Sequence, residues 1–181
     1  MREFRLPASR AELATLRVGE EVALSGVAYT ARDATHARIV DELERDGELP
    51  FGLAGATLLY AGPTPAAAGR PAGAIGPTTA KRMDAWTPAL LRAGIVATIG
   101  KGVRSAEVAA ACAETGSVYF AAVGGAAALL ALHVTAIEPE AWPELGTEAL
   151  QRVTLDAFPV FVAIDAQGND LYERARAEWR S

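Results

Sequence analysis

The sequence contains little cysteine, no long uninterrupted apolar run and no excess of positive charge. Its one cysteine, Cys112, excludes an internal disulfide and any metal site built from several thiolates of this chain. No apolar run reaches the roughly 18 residues needed to span a bilayer, since glycines interrupt the nearest candidate, VYFAAVGGAAALLALHV. We therefore predict no thiolate metal site and no membrane span.

The charge balance is acidic, with 22 Asp and Glu against 17 Lys and Arg among 181 residues. This balance argues against a nucleic-acid partner, because there is no basic field to neutralise phosphates. A small anionic ligand needs only a local basic pocket and stays compatible with it. The start, MREFRLPASRAEL, has no apolar core of a secretory signal, so we expect a cytoplasmic protein.

The hydrophobic pattern predicts interleaved strands and helices. A strand over Glu21–Tyr29 precedes an amphipathic helix that Gly47 ends, and a short buried strand follows at Ala56–Ala61. Further strands are predicted for IVATIG, SVYFAAV, EALQRVTL and FPVFVAID, and further helices for SAEVAAACAETG and GAAALLALH. The pattern is that of an α/β protein, interpreted as a single domain over residues 1–181.

Turn and capping signals divide this pattern. Ser9 and Glu12 have capping-box spacing, which predicts a short helix before the first strand. The stretch GPTPAAAGRPAGAIGPT predicts an irregular loop leading toward a site. A helix is expected from about Thr79, and Thr87 before Pro88 is the expected N-cap of a second helix ending at Gly94.

The segment TARDATH places charged residues where a strand runs into a helix. A helix N-terminus offers free N–H groups and a partial positive charge. On one interpretation Asp33 caps the helix and Arg32 lies on the surface. On the other, Arg32 binds a carboxylate through its planar fork, and His36, one turn on, either orients a ligand or packs.

The segment GPTTAKR repeats this arrangement with hydroxyls and cations. On the simpler interpretation, Thr78 or Thr79 is an N-cap, while Lys81 and Arg82 are solvated. However, the helix dipole disfavours cations in a first turn, so a bound anion explains the pair better. Thr78 and Arg82 could then face one pocket, where nearby positive charge would make a threonine hydroxyl a usable base.

Two further strand ends carry glycines. In IGKG the Walker spacing is absent, so Lys101 indicates a nucleotide only weakly but fits as a third strand-end cation. Gly124 and Gly125 either allow close packing or form a turn facing a carboxylate. Open α/β sheets commonly bind ligands at strand ends, and several cations without a metal-ligand set suit a small diacid.

Five ordered segments together resemble the beta subunit, or C-terminal half, of class I iron–sulfur fumarases and tartrate dehydratases. They are YTARDATHARI, GPTTAKRMD, IGKG, VYFAAVGGAAALL and FPVFVAIDAQGNDLY, and the resemblance runs from about Leu16 to Tyr172. It implies a swivelling β/β/α domain with a mixed sheet and a strand-end ligand site. It also implies reversible dehydration of a C4 2-hydroxy dicarboxylate.

The resemblance also implies a cofactor and a partner. In that family a 4Fe–4S cluster binds the substrate hydroxyl, and its three cysteine ligands lie in the alpha region. Because this chain has only Cys112, the cluster is expected on a separate alpha subunit, with no metal held here. An exposed apolar face is expected where that subunit docks, and such a face could pair two isolated copies of the chain.

The family roles fall on residues already selected. Arg32 and Arg82 would hold substrate carboxylates, Lys101 would be the third cation, and Thr78 would take the C3 proton, with Thr79 competing for that role. The predicted function is the beta subunit of a fumarate/(S)-malate hydro-lyase. The alternatives are an L(+)-tartrate dehydratase beta subunit, a non-catalytic dicarboxylate-binding module and, more weakly, a phosphate-ligand enzyme using GKG.

Overall fold

The computed structural model describes residues 1–180, which form an α/β structure with one mixed sheet. Its strands are β1 (Arg2–Leu6), β2 (Glu21–Thr30), β3 (Thr57–Leu59), β4 (Ala97–Gly100), β5 (Val118–Ala121), β6 (Val134–Ala141) and β7 (Leu150–Ile164). Its α-helices are α1 (Arg10–Leu13), α2 (Asp33–Asp46), α3 (Thr87–Ala93), α4 (Ala106–Thr115), α5 (Ala127–Leu130) and α6 (Leu171–Arg180). Short 3₁₀ segments lie at Pro50–Gly52, Ala80–Met83, Ala131–His133 and Pro143–Glu148.

The sheet closes on itself through its last strand. Strands β2, β3, β4 and β5 pair in parallel in that order. Strand β7 pairs antiparallel with β5 and also with β2, which joins the two ends into a small barrel-like arrangement. Strands β1 and β6 extend the sheet beside β2 and β7, so the closed part leaves few unpaired strand edges.

Alternation along the short strands divides the core in two. Every residue of β3, β4 and β5 is buried, as expected for parallel strands covered on both faces. Leu59 and Phe120 belong to one apolar cluster with residues of β1, β2 and β7. Their neighbours Leu58 and Tyr119 belong to a second cluster with residues of α2, α3 and α4.

Most predicted elements are confirmed. The capping box of Ser9 and Glu12 begins α1, and α2 ends at Gly47 in the left-handed conformation. The helix expected from Thr79 is only the 3₁₀ segment Ala80–Met83. The predicted N-cap was wrong, because Trp86 occupies the N-cap position of α3 without a side-chain capping bond, and the Thr87 hydroxyl donates to the Met83 carbonyl.

The C-terminal third differs most from the prediction. EALQRVTL and FPVFVAID are one strand, β7, because pairing with β2 continues past a bulge at Leu24 and Gly26. Ala157, with φ of 49°, interrupts the local alternation there. The prediction also missed β1 and β6, which are edge strands that depend on β2 and β7 for pairing.

The long loop after β3 returns to the sheet at Thr78. The Thr78 amide donates to the Tyr60 carbonyl at 2.7 Å, directly beyond β3. The Lys101 amide then donates to the Thr78 carbonyl at 3.1 Å, and the Ala80 amide donates to the Lys101 carbonyl at 3.0 Å. This backbone ladder continues the pairing of β3 and β4 and brings the loop to the carboxyl edge of the sheet.

No helix among residues 1–180 combines the length and apolarity needed to cross a membrane. The single-domain interpretation over residues 1–181 stays a prediction, with Ser181 outside the described residues.

Candidate functional site at the carboxyl edge of the sheet

The predicted strand-end residues lie at one edge of the sheet. Strands β2 to β5 are parallel neighbours, so the segments that follow them emerge on the same side. Arg32 follows β2, Thr78 is bonded beyond β3, Lys101 follows β4, and Gly124 follows β5. Parallel pairing therefore brings together residues that are far apart in the sequence.

Lys101 lies in a cavity of about 430 Å³ together with Thr79, Gly102, Gly124 and Tyr172. A Cβ at Gly124 would lie 3.9 Å from the Lys101 Nζ, so the lysine extends along the glycine backbone. Among residues 1–180 no carboxylate pairs with this ammonium group. The cavity therefore presents a cation without a counter-charge.

A glycine at the end of β4 permits the approach of the Thr78–Thr79 segment. A Cβ at Gly100 would lie 2.9 Å from the Ala80 Cβ and 3.1 Å from the Tyr60 ring. A larger residue would therefore push the segment off the strand end. Gly100 thus helps to place Thr78 and Thr79 beside Lys101.

Arg32 and Arg82 form a second cluster around the start of α2. Arg32 occupies the N-cap position, and its Nη2 lies 3.2 Å from Glu148 Oε1. Arg82 donates to Asp33 Oδ2 at 2.7 Å across two partly exposed side chains. Asp33 is thus in the first helical turn rather than at the cap, and both arginines contact carboxylates of this chain.

These two clusters are adjacent but do not form one cavity. The cavity of Lys101 is lined by Thr79 but not by Thr78, Arg32 or Arg82. Thr78 is half-buried, with its backbone bonded to Tyr60 and Lys101. A ligand that touches all the predicted residues would have to bridge the cavity and the arginines.

His36 lies beneath Arg32 and is fully buried. Its Nδ1 donates to the Arg32 carbonyl at 2.8 Å, and its ring packs edge-on against Tyr60 with centroids 5.0 Å apart. Burial lowers the pKa of His36 to about 4, so the ring is neutral near pH 7. This position favours the packing interpretation, whereas a ligand-orienting role stays a prediction.

Sequence reasoning missed a buried ion pair below the site. Arg104 is fully buried and donates to Asp84 at 2.6 Å and to Thr87 at 2.7 Å. Its guanidinium also lies over the rings of Tyr119 and Tyr60, at 4.8 and 5.3 Å from their centroids. Burial opposes this charge, but the contacts with Tyr60 and Asp84 outweigh it and raise the pKa of Arg104.

This ion pair joins two segments that carry predicted site residues. Asp84 follows the 3₁₀ segment that contains Arg82, and its other oxygen accepts from the Ser105 amide at 2.7 Å. Arg104 lies three residues after Lys101. The pair therefore holds the Arg82 segment against the Lys101 loop, and nothing in the spacing of the two residues in the sequence would have paired them.

Glu148 is the other residue that sequence reasoning missed. It ends the 3₁₀ segment between β6 and β7, and Oε2 accepts from the Ala34 amide at 2.8 Å. The Thr35 hydroxyl donates to its carbonyl. No local pattern relates a glutamate near the C-terminus to α2, since 114 residues separate the two partners.

The fold and this edge define an α/β domain with a cationic strand-end site. Residues 2–175 match the family model described as Fumarase C-terminus, and the chain belongs to that family.

Curated relatives are similar over most of the chain. It is 36% identical over 166 residues to "Fumarate hydratase class I, anaerobic" of Escherichia coli, covering 91% of this chain and 30% of the relative. It is also 36% identical to "Fumarate hydratase 2" of Leishmania major, covering 93% and 30%. The chain thus spans about 30% of the length of these two relatives.

A third relative is covered along most of its own length. The "Putative L(+)-tartrate dehydratase subunit beta" of Methanocaldococcus jannaschii is 36% identical, with 91% of this chain and 88% of the relative covered. The names of these relatives describe hydratases and a dehydratase subunit. The chain is therefore a member of a hydro-lyase family, as the sequence resemblance indicated.

Proposed function

We propose that this chain is the beta subunit of a heteromeric iron–sulfur hydro-lyase that reversibly dehydrates a C4 2-hydroxy dicarboxylate, with (S)-malate and fumarate as the first candidates. The observation that carries the proposal is the placement of Arg32, Thr78 and Lys101 at one edge of the sheet, with Arg82 bonded to Asp33 next to Arg32. A cytoplasmic location and the swivelling description of the domain stay predictions.

In this proposal the cations bind the substrate. Arg32 and Arg82 each hold one carboxylate through charge-assisted hydrogen bonds, for which the guanidinium fork is suited. Lys101, which has no carboxylate partner among the described residues, supplies the third positive charge. Positive charge fixed before the reaction stabilises negative charge that develops on the substrate.

Thr78 is the proposed base for the C3 proton. Its backbone is bonded on both sides, to Tyr60 and to Lys101, which fixes the residue between the loop after β3 and the end of β4. Nearby positive charge favours the deprotonated form of a hydroxyl group. Thr79 remains the competing hydroxyl, because it is exposed and lines the cavity of Lys101.

The residues of this chain do not fit an iron–sulfur cluster. Such clusters are held mainly by several cysteine thiolates, and burial raises the pKa of the single thiol, Cys112 in α4, to about 12. Among residues 1–180 no group of three or more His, Cys, Asp or Glu side chains is placed to hold a metal. The proposal therefore assigns the 4Fe–4S cluster to the partner alpha subunit.

Exposed apolar side chains near the cavity support a docked partner. Val123, Leu129 and Leu132 are 56%, 67% and 62% exposed and follow β5 beside Gly124. Large apolar side chains grouped on a surface are typical of protein contacts. The alpha subunit is the proposed occupant, and pairing of two copies through this face is proposed for the isolated chain.

A second candidate is the beta subunit of an L(+)-tartrate dehydratase. The observation that favours it is coverage, because the chain matches 88% of a relative with that name but only 30% of the fumarate hydratases. Both candidates need the same carboxylate contacts, so only the preferred substrate separates them.

An anaerobic assay with (S)-malate, fumarate and L(+)-tartrate tests the proposal. We expect turnover only when the chain is mixed with the iron–sulfur alpha subunit of the same source, and the preferred substrate chooses between the two candidates. A complex without turnover on any of the three would contradict the assignment. Absence of a complex, with dicarboxylate binding by the chain alone, would establish the non-catalytic module instead.

Variants of the assembled enzyme test the residues. Thr78→Ala and Arg82→Ala should each lower kcat/KM by about 10²–10³-fold, as loss of one transition-state contact does. Lys81→Ala is the matched control, since Lys81 is an exposed cation beside Arg82. Thr79→Ala decides between the two hydroxyls, and wild-type kcat/KM in both Thr78→Ala and Arg82→Ala would show that the site is assigned wrongly.

A further inference from the structure

Glu148 places a carboxylate of the protein on the first donors of the proposed substrate site. One oxygen lies 3.2 Å from Arg32 Nη2, and the other accepts from the Ala34 amide at 2.8 Å. These two donors are a guanidinium and a backbone N–H at the start of α2, the groups that a substrate carboxylate would use there. Glu148 therefore holds the position of an anionic ligand.

The contact with Glu148 leaves one N–H donor of Arg32 without a hydrogen bond in the described part of the chain. Arg32 Nε is buried and has no hydrogen-bond partner among residues 1–180. A carboxylate that binds an arginine through both of its oxygens commonly satisfies two N–H groups at once. Glu148 instead divides its oxygens between Arg32 and Ala34, so the guanidinium keeps a donor for another acceptor.

The segment that carries Glu148 contacts α2 mainly through side chains. The Thr35 hydroxyl donates to the Glu148 carbonyl, and Arg38 lies 3.6 Å from Glu144 across two exposed side chains. The same segment contains Gly146, with φ of 60° and ψ of −121°. The segment lies between β6 and β7 rather than within them, so the side-chain contact of Glu148 is not part of the strand pairing.

Asp33, the other carboxylate beside the arginines, has fewer contacts than Glu148. Asp33 contacts Arg82 by a single hydrogen bond between two partly exposed side chains, and solvent weakens such pairs. Glu148 is 23% exposed and engages both Arg32 and a backbone amide. Of the two, Glu148 is therefore the stronger competitor for a bound dicarboxylate.

We infer that Glu148 is an internal competitor that occupies the Arg32–Ala34 donors in the free chain and is displaced by a substrate carboxylate, so that it sets the affinity for the dicarboxylate. This inference rests on the proposed function for the identity of the ligand. If the contact is open in about one molecule in ten, the apparent affinity is about tenfold weaker than that of the open form.

The test is to replace Glu148 with glutamine and measure malate and tartrate binding to the full chain by calorimetry. Glutamine keeps an oxygen for the Ala34 amide but removes the negative charge that residue 148 places beside Arg32. We expect the Kd to fall about tenfold, and the KM of the assembled enzyme to fall with it. Glu144→Gln is the matched control, because it removes one negative charge from the same segment without contacting Arg32.

The outcomes test the inference about Glu148 and the proposed function separately. If the wild-type complex turns over and Glu148→Gln leaves Kd unchanged or raises it, the inference is wrong while the function stands. A higher Kd would indicate instead that Glu148 positions Arg32. If no complex turns over but Glu148→Gln alone tightens binding, the inference stands and the function fails. An equal gain in Glu144→Gln, or no binding by any variant, would overturn the inference.

Thermal unfolding of each variant shows whether the fold is kept. Glu148→Asp is the second variant, since it keeps the charge on a shorter side chain. We expect its Kd to lie between those of the wild type and Glu148→Gln. A Glu148→Asp chain that binds more tightly than Glu148→Gln would contradict competition by the carboxylate.

Discussion

His36 is a histidine that the protein holds neutral. Its ring is fully buried between Tyr60 and Trp86, and Nδ1 donates to the Arg32 carbonyl. Nε2 is then the unprotonated nitrogen, which agrees with its lack of a hydrogen-bond partner among residues 1–180. A charged ring would have to lose its hydration in this place, so burial lowers the pKa of His36 to about 4.

This burial makes stability depend on pH. The unfolded chain protonates His36 near pH 6.5, whereas the folded chain does so only near 4. Between these values the unfolded state binds more protons, so the free energy of unfolding falls as the pH falls. From pH 7 to pH 5 this one group should remove about 2 kcal/mol.

Urea unfolding of the wild type and of His36→Gln at both pH values measures this contribution. The variant should lose about 2 kcal/mol less than the wild type over the same interval, whatever its stability at pH 7. Identical losses would show that His36 titrates normally in the folded chain.

At the scale of the elements, the ion pair of Asp84 and Arg104 connects the 3₁₀ segment before α3 to the loop before α4. Arg104 has no exposed side-chain surface, and its donors are taken up by Asp84, Thr87 and Thr98. A buried charge is tolerated only with such compensation. The geometry of Arg82 relative to Lys101 therefore depends on a pair that contacts no proposed ligand.

Asp84→Ala should lower the free energy of unfolding by about 3–5 kcal/mol, because it leaves the Arg104 charge buried without its partner. Glu114→Ala is the matched control, since it removes the acidic partner of Arg92 from an ion pair whose side chains are about half exposed. Glu114→Ala should change the free energy of unfolding little. Denaturant unfolding of both variants checks this, and similar losses would contradict a special role for the buried pair.

At the scale of the whole molecule, β7 holds the closed sheet together. It pairs with β2 along Gln151–Phe161, with β5 near its end, and with β6 near its start. In contrast, α6 has no buried residue, and its Trp179 is 91% exposed. Opening β7 requires breaking three pairings, whereas α6 takes part in no strand pairing and has no fully buried side chain.

Hydrogen–deuterium exchange should show this difference. Amides of β7 and β2 should exchange only by opening of the whole sheet, and those of α6 should exchange fastest among the helices of residues 1–180. Mass spectrometry of proteolytic fragments measures both in one experiment. Equal protection of α6 and β7 in the isolated chain would contradict this account of the closure, unless α6 is covered by a second copy, which the molar mass in solution would reveal.

Local patterns predicted much of the fold because they depend on near neighbours. The apolar spacing of α2, its left-handed end at Gly47 and the mostly apolar runs of β4 and β5 are all readable from short windows. The edge strands β1 and β6 were missed because their pairing with β2 and β7 decides them more than their own composition does.

The candidate site likewise contains residues that the sequence indicated and residues that it did not. Arg32, Thr78, Arg82 and Lys101 stand out in the sequence because cations and hydroxyls follow predicted strands, and parallel strands present such ends at one edge. Glu148 and Arg104 have no local signal, since each contacts a residue on a separate element. The ligand contacts of the predicted residues stay predictions until the assays are made.

The sequence by itself therefore determined the alternation of strands and helices, the strand-end cations and the single thiol that excludes a thiolate cluster in this chain. Only the tertiary structure decided that β7 is one closing strand, that His36 is buried, and that Glu148 lies on Arg32. The physical reason is the distance along the chain over which each interaction acts. Periodicity and capping depend on residues only a few positions apart. Strand register and buried charge pairing depend on residues that meet only when the sheet closes.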